Sequence, residues 1–439
     1  MRKVLIISPR FPPSNAPDMQ RVRLALPLLE SRGWVPEVVC VDAARVIAPL
    51  DPLLMSTLPP RVAIHRVSAF SQRWTRRLGV GSLTARCYYQ LSKAVDRLLR
   101  EGSFDLVFFS TTEFGLLPLG ITWLNRFQVP FVVDLQDPWV NPYYRENRLR
   151  PPGGIIKHSV HQWLAGWLER RVMQQAARIM VVSERYTETL CRRYDFLPRD
   201  KFVTIPFAAT PTDLEVASSD QVTNPHFSRS DGKSHWVYVG RCGPDMTLSL
   251  GAFLTAFQKY TQTHVADASR IRLHFIGTDY AAAAAASYWV KPIAERLGIG
   301  EFVREQPARI PYFETLRCLL DADALIVPGS GDASYTASKI YPYIAASRPL
   351  LTVFHEDSSV NDVMRRASGG TAVSFSSEDD LDSLSGRIYA RWFANRTFEV
   401  KPAMNNAAFE EFLAPAMTDR IVECFDRAIC ESPLGKLPV

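Results

Sequence analysis

Short runs of consecutive apolar, largely β-branched residues alternate along the chain with longer amphipathic stretches. KVLIIS (3–8), VPEVVCVD (35–42), FDLVFFS (104–110), PFVVDL (130–135), RIMVVS (178–183) and KFVTIP (201–206) make up a first series. Strands that read as continuous rather than alternating apolar runs are those buried on both faces, so this rhythm predicts parallel sheets covered by helices. It lapses over the polar stretch ATPTDLEVASSDQVTNPHFSRSDGKS (209–234). It then resumes with HWVYVG (235–240), IRLHFIG (271–277), ADALIVPG (322–329), PLLTVF (349–354) and GGTAVSF (369–375). The pattern predicts an α/β protein of two Rossmann-like, doubly wound domains, 1–208 and 235–402, joined by a linker at 209–234. A C-terminal segment, 403–439, is expected to pack its helix back on the first domain. Ligands of such sheets bind beyond the carboxyl ends of the strands. The loops after Ser8, Ser110, Leu135, Gly240, Gly277 and Gly329 are therefore expected to converge on a cleft between the domains.

With 439 residues, 47% of them apolar, the chain has material for two cores. Its seven cysteines lie far apart with no CxxC pair, which points away from a disulfide framework or a zinc site and toward a reducing cytoplasm. The opening MRKVLIISPRFPP has an apolar run too short for a signal sequence and closed by proline, so it reads as a first strand. The most apolar region, 104–124, is broken by Asp105, Glu113 and Pro118, which argues against a spanning helix. Charge is unevenly distributed: residues 1–210 hold 29 Lys and Arg against 17 Asp and Glu, and the remainder 22 against 28. A basic first half suits an anionic membrane surface or a phosphorylated acceptor better than nucleic acid; a solvated basic face is the alternative.

The loop after the first strand, SPRFPPSNAPDMQRVRLALPLLESRGW, lacks the GxGxxG of a dinucleotide oxidoreductase. Asp18 is a fair N-cap for the helix that follows. Arg21 and Arg23 in its first turns oppose the helix dipole, which calls for an anion nearby or, for Arg21, a structural salt bridge. In YVGRCGPDMTLSLGAFLTAF, Arg241 follows Gly240 directly after a strand, a place from which an arginine can neutralise a diphosphate. In LHFIGTDYAAAAAA, Gly277 lets backbone approach a ligand closely. In ADALIVPGSGDASYTASKIYPYIAASRPLLTVF, Ser338 is expected to cap a helix with Lys339 in its first turn. That is an anion site, or else a surface lysine. Pro342 falls in the same first turn, where proline is cheap. Residues 141–173 are expected to form a helix presenting Ile156, Val160, Trp163, Trp167 and Met173 along one side. With RWTRRLGV (73–80), this stripe suggests either contact with a bilayer or core packing. His158 and His161 lie one turn apart with no third ligand near, so they read as surface histidines and no metal is expected.

In order along the chain, the first loop with RVRLALPLLESRGW, VPFVVDLQDPW (129–139), ARIMVVSERYTETL (177–190), YVGR, FIGTD, IPYFETLRCLLDADALIVPG and SKIYPYIAASRPLL resemble the GT-B fold glycosyltransferases. Within them the likeness is to the retaining, metal-independent, nucleotide-sugar-dependent family 4, over nearly the whole chain. The resemblance implies sugar transfer from a nucleotide-sugar donor to a glycan or lipid-linked acceptor in surface polysaccharide or glycolipid assembly. It implies no cofactor, and a cytoplasmic protein touching the inner face of a membrane. On the donor side it implicates Arg241, Lys339, Gly240, Gly277, Ser338 and Tyr341. On the acceptor side it implicates Arg21, Glu113 and Asp137, with Asp137 orienting or deprotonating a hydroxyl unless it is only a turn former. Two departures stand out. The family's second diphosphate cation falls near Met246, and the glutamate that holds the ribose is replaced by Pro342. Asp332 and Ser334 are then the nearest substitutes, and a non-catalytic relative acting as a partner or regulatory subunit is the alternative function.

Overall fold

The computed structural model describes residues 1–77, 81–140, 155–279, 287–332, 335 and 337–431, with side chains omitted for Arg76 and 155–161. Two compact bodies emerge: Met1–Phe207 together with Ala414–Val439, and Ala208–Leu413. The first is built on seven parallel strands in the order β3-β2-β1-β4-β5-β6-β7. They are β1 (Arg2–Ile7), β2 (Trp34–Val41), β3 (Ala63–Val67), β4 (Leu106–Ser110), β5 (Phe131–Leu135), β6 (Arg178–Val181) and β7 (Phe202–Thr204). The second holds six, in the order β10-β9-β8-β11-β12-β13. These are β8 (Ser234–Val239), β9 (Ile271–Ile276), β10 (Val303–Gln306), β11 (Ala324–Pro328), β12 (Leu350–His355) and β13 (Thr371–Phe375).

Every strand expected from a continuous apolar run is present. The two not foreseen, β3 and β10, are the outer strands AIHRV and VREQ, whose mostly exposed or half-buried residues carry no apolar run to read. In the central strands neighbouring residues serve opposite faces. Phe109 stacks on buried Trp123 at 5.6 Å, while Phe108 turns the other way to meet Phe425 at 5.0 Å on the helix Ala414–Cys430. That helix is fixed to the first body also by Trp34, whose ring lies 5.2 Å from Phe425 and whose Nε1–H donates to Asp426 at 3.0 Å. In the second body Trp236 of β8 is buried among Phe393 and Phe398.

Four local expectations are corrected. The stretch 209–234 carries the helix Pro211–Ser218, whose buried Asp213 accepts a hydrogen bond from Tyr312 at 2.8 Å, so it belongs to the second body instead of linking two. Asp18 lies inside a short 3-10 turn, Pro17–Met19, and does not cap the helix Gln20–Leu29. Ser338 does not cap either: the helix Ile340–Ala345 begins after Lys339, with no side-chain cap. On the helix Ile155–Gln175 the buried positions are Ala165, Glu169, Val172 and Met173, whereas Trp163 and Trp167 are exposed, so the tryptophans and Met173 do not share one face. Ile156, Val160, His158 and His161 lie outside the described side chains.

Candidate functional site

Each sheet reverses its strand order once, between β1 and β4 in the first body and between β8 and β11 in the second. Beyond the carboxyl ends of such a pair the connections diverge and leave a crevice, the usual ligand position in open α/β sheets.

In the second body β8 and β11 pair only as far as Val237 with Leu325. Past that point the backbone groups of Val239 lose their strand partner, and buried Tyr343 replaces it. The Tyr343 hydroxyl accepts from Val239 N–H at 2.6 Å and donates to Val239 C=O at 3.1 Å, which fastens the helix Ile340–Ala345 to the end of β8. Pro342 costs this helix nothing in hydrogen bonds, because its nitrogen falls in the first turn. Lys339 is thereby brought over Gly240. Its Nζ donates to the Tyr238 hydroxyl at 2.8 Å and lies 4.7 Å from that ring's centre. A Cβ on Gly240 would stand 2.2 Å from Nζ, so glycine is what leaves room for the ammonium. The Tyr238 hydroxyl in turn donates to the carbonyl of Arg241 at 2.5 Å. Burial above all, together with the neighbouring Arg241 charge, pushes the Lys339 ammonium down to about 7.

Arg241 is gripped by Asp245 in a fork, Nη1 to Oδ1 at 2.9 Å and Nη2 to Oδ2 at 2.8 Å, and lies 5.1 Å from the Tyr335 ring centre. Although burial opposes it, this pairing and a Ser330 hydrogen bond hold the Asp245 carboxyl below its ordinary range. Asp245 also accepts, through its backbone carbonyl, the N–H of Gly331 at 2.7 Å, which joins the loops after β8 and β11. Met246, at the expected place of a second cation, is fully buried. The loop after β9 lies alongside: Gly277 adopts φ +71°, and the Cys242 N–H donates to Thr278 C=O at 2.8 Å. Asp332 is half-buried with its N–H on Ser330 Oγ at 3.0 Å. Ser338 is exposed. Tyr341 is a packing residue, buried 5.7 Å from Phe412. Ser334 lies outside the described residues.

In the first body the crevice between β1 and β4 holds a cluster that the sequence reading caught only in part. Glu113 is buried and accepts from Thr84 N–H at 2.8 Å and Thr84 Oγ1 at 2.6 Å, while its other oxygen pairs with Arg10. Arg10 also reaches Asp18 at 2.9 Å, and these two carboxylates outweigh burial to raise its pKa. Arg21 is corrected from an acceptor-side to a structural residue. It is wholly buried, with Nε 2.9 Å from Asp134 and Nη2 donating to Ile205 C=O at 2.8 Å. Asp137 is exposed just past β5. Tyr238, Asp245 and Arg10 were missed. The first two had a readable signal, since Tyr238 shares a strand face with Gly240 and Asp245 stands four residues after Arg241.

Among the described residues no group of three His, Cys, Asp or Glu side chains is placed to hold a metal ion, and no helix is long and apolar enough to cross a membrane.

Residues 20–208 match the family model of the glycosyl transferase 4-like domain. No curated protein sequence matches the chain. Among solved structures, that of Anabaena Alr3699/HepE in complex with UDP-glucose is similar with a TM-score of 0.60 at 12% identity, covering 97% of this chain and 100% of that one. A UDP-forming α,α-trehalose-phosphate synthase from Burkholderia xenovorans gives 0.61 at 14% identity, covering 97% and 99%. A glycosyltransferase from Rickettsia africae gives 0.59 at 12%, covering 98% and 99%. The chain therefore has the GT-B fold, and residues 20–208 of its first body are similar to the glycosyl transferase 4-like domain.

Proposed function

We propose that this protein is a retaining glycosyltransferase that binds a nucleotide sugar in the crevice between β8 and β11 and passes the sugar to a glycan or lipid-linked acceptor. The observation that carries the reading is the pair of cations, Arg241 and Lys339, brought to the end of β8 around Gly240, with Tyr238 bonded to both segments. A departing diphosphate gathers negative charge, and preorganised cations in a partly buried site stabilise that charge without a metal ion. The UDP and UDP-glucose held by the Anabaena protein support UDP as the first nucleotide to try. On the acceptor side, exposed Asp137 and the Arg10–Glu113 pair offer a base and a fixed charge pattern for a hydroxyl-bearing acceptor.

The test is thermal unfolding of the purified protein titrated with UDP, GDP, ADP, CMP and dTDP. A nucleotide at a hundred times its Kd is expected to add about 2.7 kcal/mol, and Arg241→Gln to abolish the shift. If none of the five shifts the transition, the donor assignment fails. A second reading, a non-catalytic relative serving as a partner subunit, then takes precedence. It draws on Pro342 in place of a ribose-binding carboxylate, on Met246 in place of a cation, and on the internal pairing of Arg241.

A further inference from the structure

The fork that Asp245 places on Arg241 has the geometry a phosphate would use. Two guanidinium nitrogens meet two oxygens at 2.9 and 2.8 Å, in a pair whose side chains keep only 22% and 14% of their exposure. The carboxylate is held there from three directions. Ser330 hydrogen-bonds it, Gly331 ties its backbone carbonyl to the loop after β11, and Gly243 leaves space for it, since a Cβ there would lie 2.8 Å from Oδ1. Its charge also faces Lys339, where it favours the ammonium form while Arg241 disfavours it. Resting on the donor reading above, we propose that Asp245 is a built-in competitor of the donor diphosphate. Its carboxylate occupies the Arg241 fork until phosphate oxygens displace it, and so it sets the affinity of the site and selects for a ligand charged enough to win the exchange.

The exchange is one anion for another on the same cation, so the wild-type protein gains less net attraction than a bare arginine would give. Removing the carboxylate's charge while keeping its shape should tighten binding and make it more salt-dependent. The experiment is calorimetric titration of UDP into wild type, Asp245→Asn, Arg241→Gln and the double variant, each at low and high salt. Asp245→Ser serves as a second probe if the asparagine variant unfolds early. Asp245→Asn is expected to bind UDP about tenfold tighter, with a steeper loss at high salt. The gain should vanish when Arg241 is already glutamine. Equal or weaker binding by both Asp245 variants, with wild type binding UDP in an Arg241-dependent way, overturns the competitor and makes Asp245 a residue that positions Arg241; the donor site itself then stands. Binding by Asp245→Asn alone supports a site that is latched shut. Where UDP binds no variant, GDP, ADP, CMP and dTDP are titrated in its place, and failure of all five removes the donor reading, and this proposal with it.

Discussion

At Lys339 burial and a neighbouring positive charge favour the neutral amine, and the result is an ammonium that titrates near 7. A bound diphosphate reverses the balance, because an adjacent anion favours the charged form. Below pH 7 the free protein already holds the proton and binding proceeds without uptake. Above it the complex holds a proton that the free protein has lost, so UDP affinity should fall as pH rises from about 7 and binding should take up about one proton. Calorimetry at pH 8 in two buffers of different ionisation enthalpy measures that uptake directly. Lys339→Met should flatten the pH dependence and abolish the uptake; a variant that keeps both would show that another group titrates. The same scale shows where reading a residue from sequence fails. Arg21, in the first turn of a helix, and Arg241, in the loop after a strand, each stand where an anion is suited. The fold supplies Arg21 with buried Asp134 and turns it into a structural member, while it supplies Arg241 with Asp245 at the mouth of a crevice. Local sequence carries the partner of Arg241, since Asp245 stands four residues on, but not that of Arg21, because Asp134 is brought to it only by strand pairing.

At the scale of elements, the short helix Ile340–Ala345 is placed by a side chain rather than by its own capping. Tyr343 fills both orphaned backbone positions of Val239 where β8 and β11 part, and through this bridge the register of Lys339 over Gly240 is set. Tyr343→Phe leaves a buried N–H and C=O unpaired and should cost about 1–3 kcal/mol of stability. It should also weaken UDP binding, since Lys339 loses its mooring. Denaturant unfolding measures the first and titration the second; normal UDP affinity at lowered stability would mean that the helix is positioned by packing alone. The elements were largely legible because buried parallel strands leave continuous apolar runs, as FDLVFFS and ADALIVPG do. The edge strands AIHRV and VREQ leave none, because charged and half-exposed residues interrupt them, whereas the edge strands β7 and β13 keep readable runs in KFVTIP and GGTAVSF. Tyr343 could not be picked out from the aromatic residues around it, since its role depends on where two distant strands stop pairing.

For the whole molecule, the charge division read from composition acquires a location. Residues 1–210 carry the excess of Lys and Arg, and on the described surface of that body Trp163, Leu164, Trp167 and Trp74 are exposed, with Arg171 4.1 Å from the Trp167 ring centre and Arg77 5.6 Å from that of Trp74. Core packing, one of the two explanations for the tryptophans, is thereby removed for Trp163, which keeps 73% of its exposure. Indole rings flanked by arginine suit the interface of an anionic bilayer, where the ring enters the headgroup region and the cation meets the phosphate. Each basic residue near such a surface contributes about 1 kcal/mol, and salt screens that attraction. The protein is therefore expected to co-sediment with vesicles containing phosphatidylglycerol at low salt, to release at high salt, and to ignore neutral vesicles. Replacing Trp163 and Trp167 together by serine should lower binding about tenfold without moving the melting temperature, since each exposed ring contributes little to the fold. Undiminished binding by that double variant would transfer the attraction to diffuse positive charge alone. Absence of binding at low salt would leave the basic half as a solvated face.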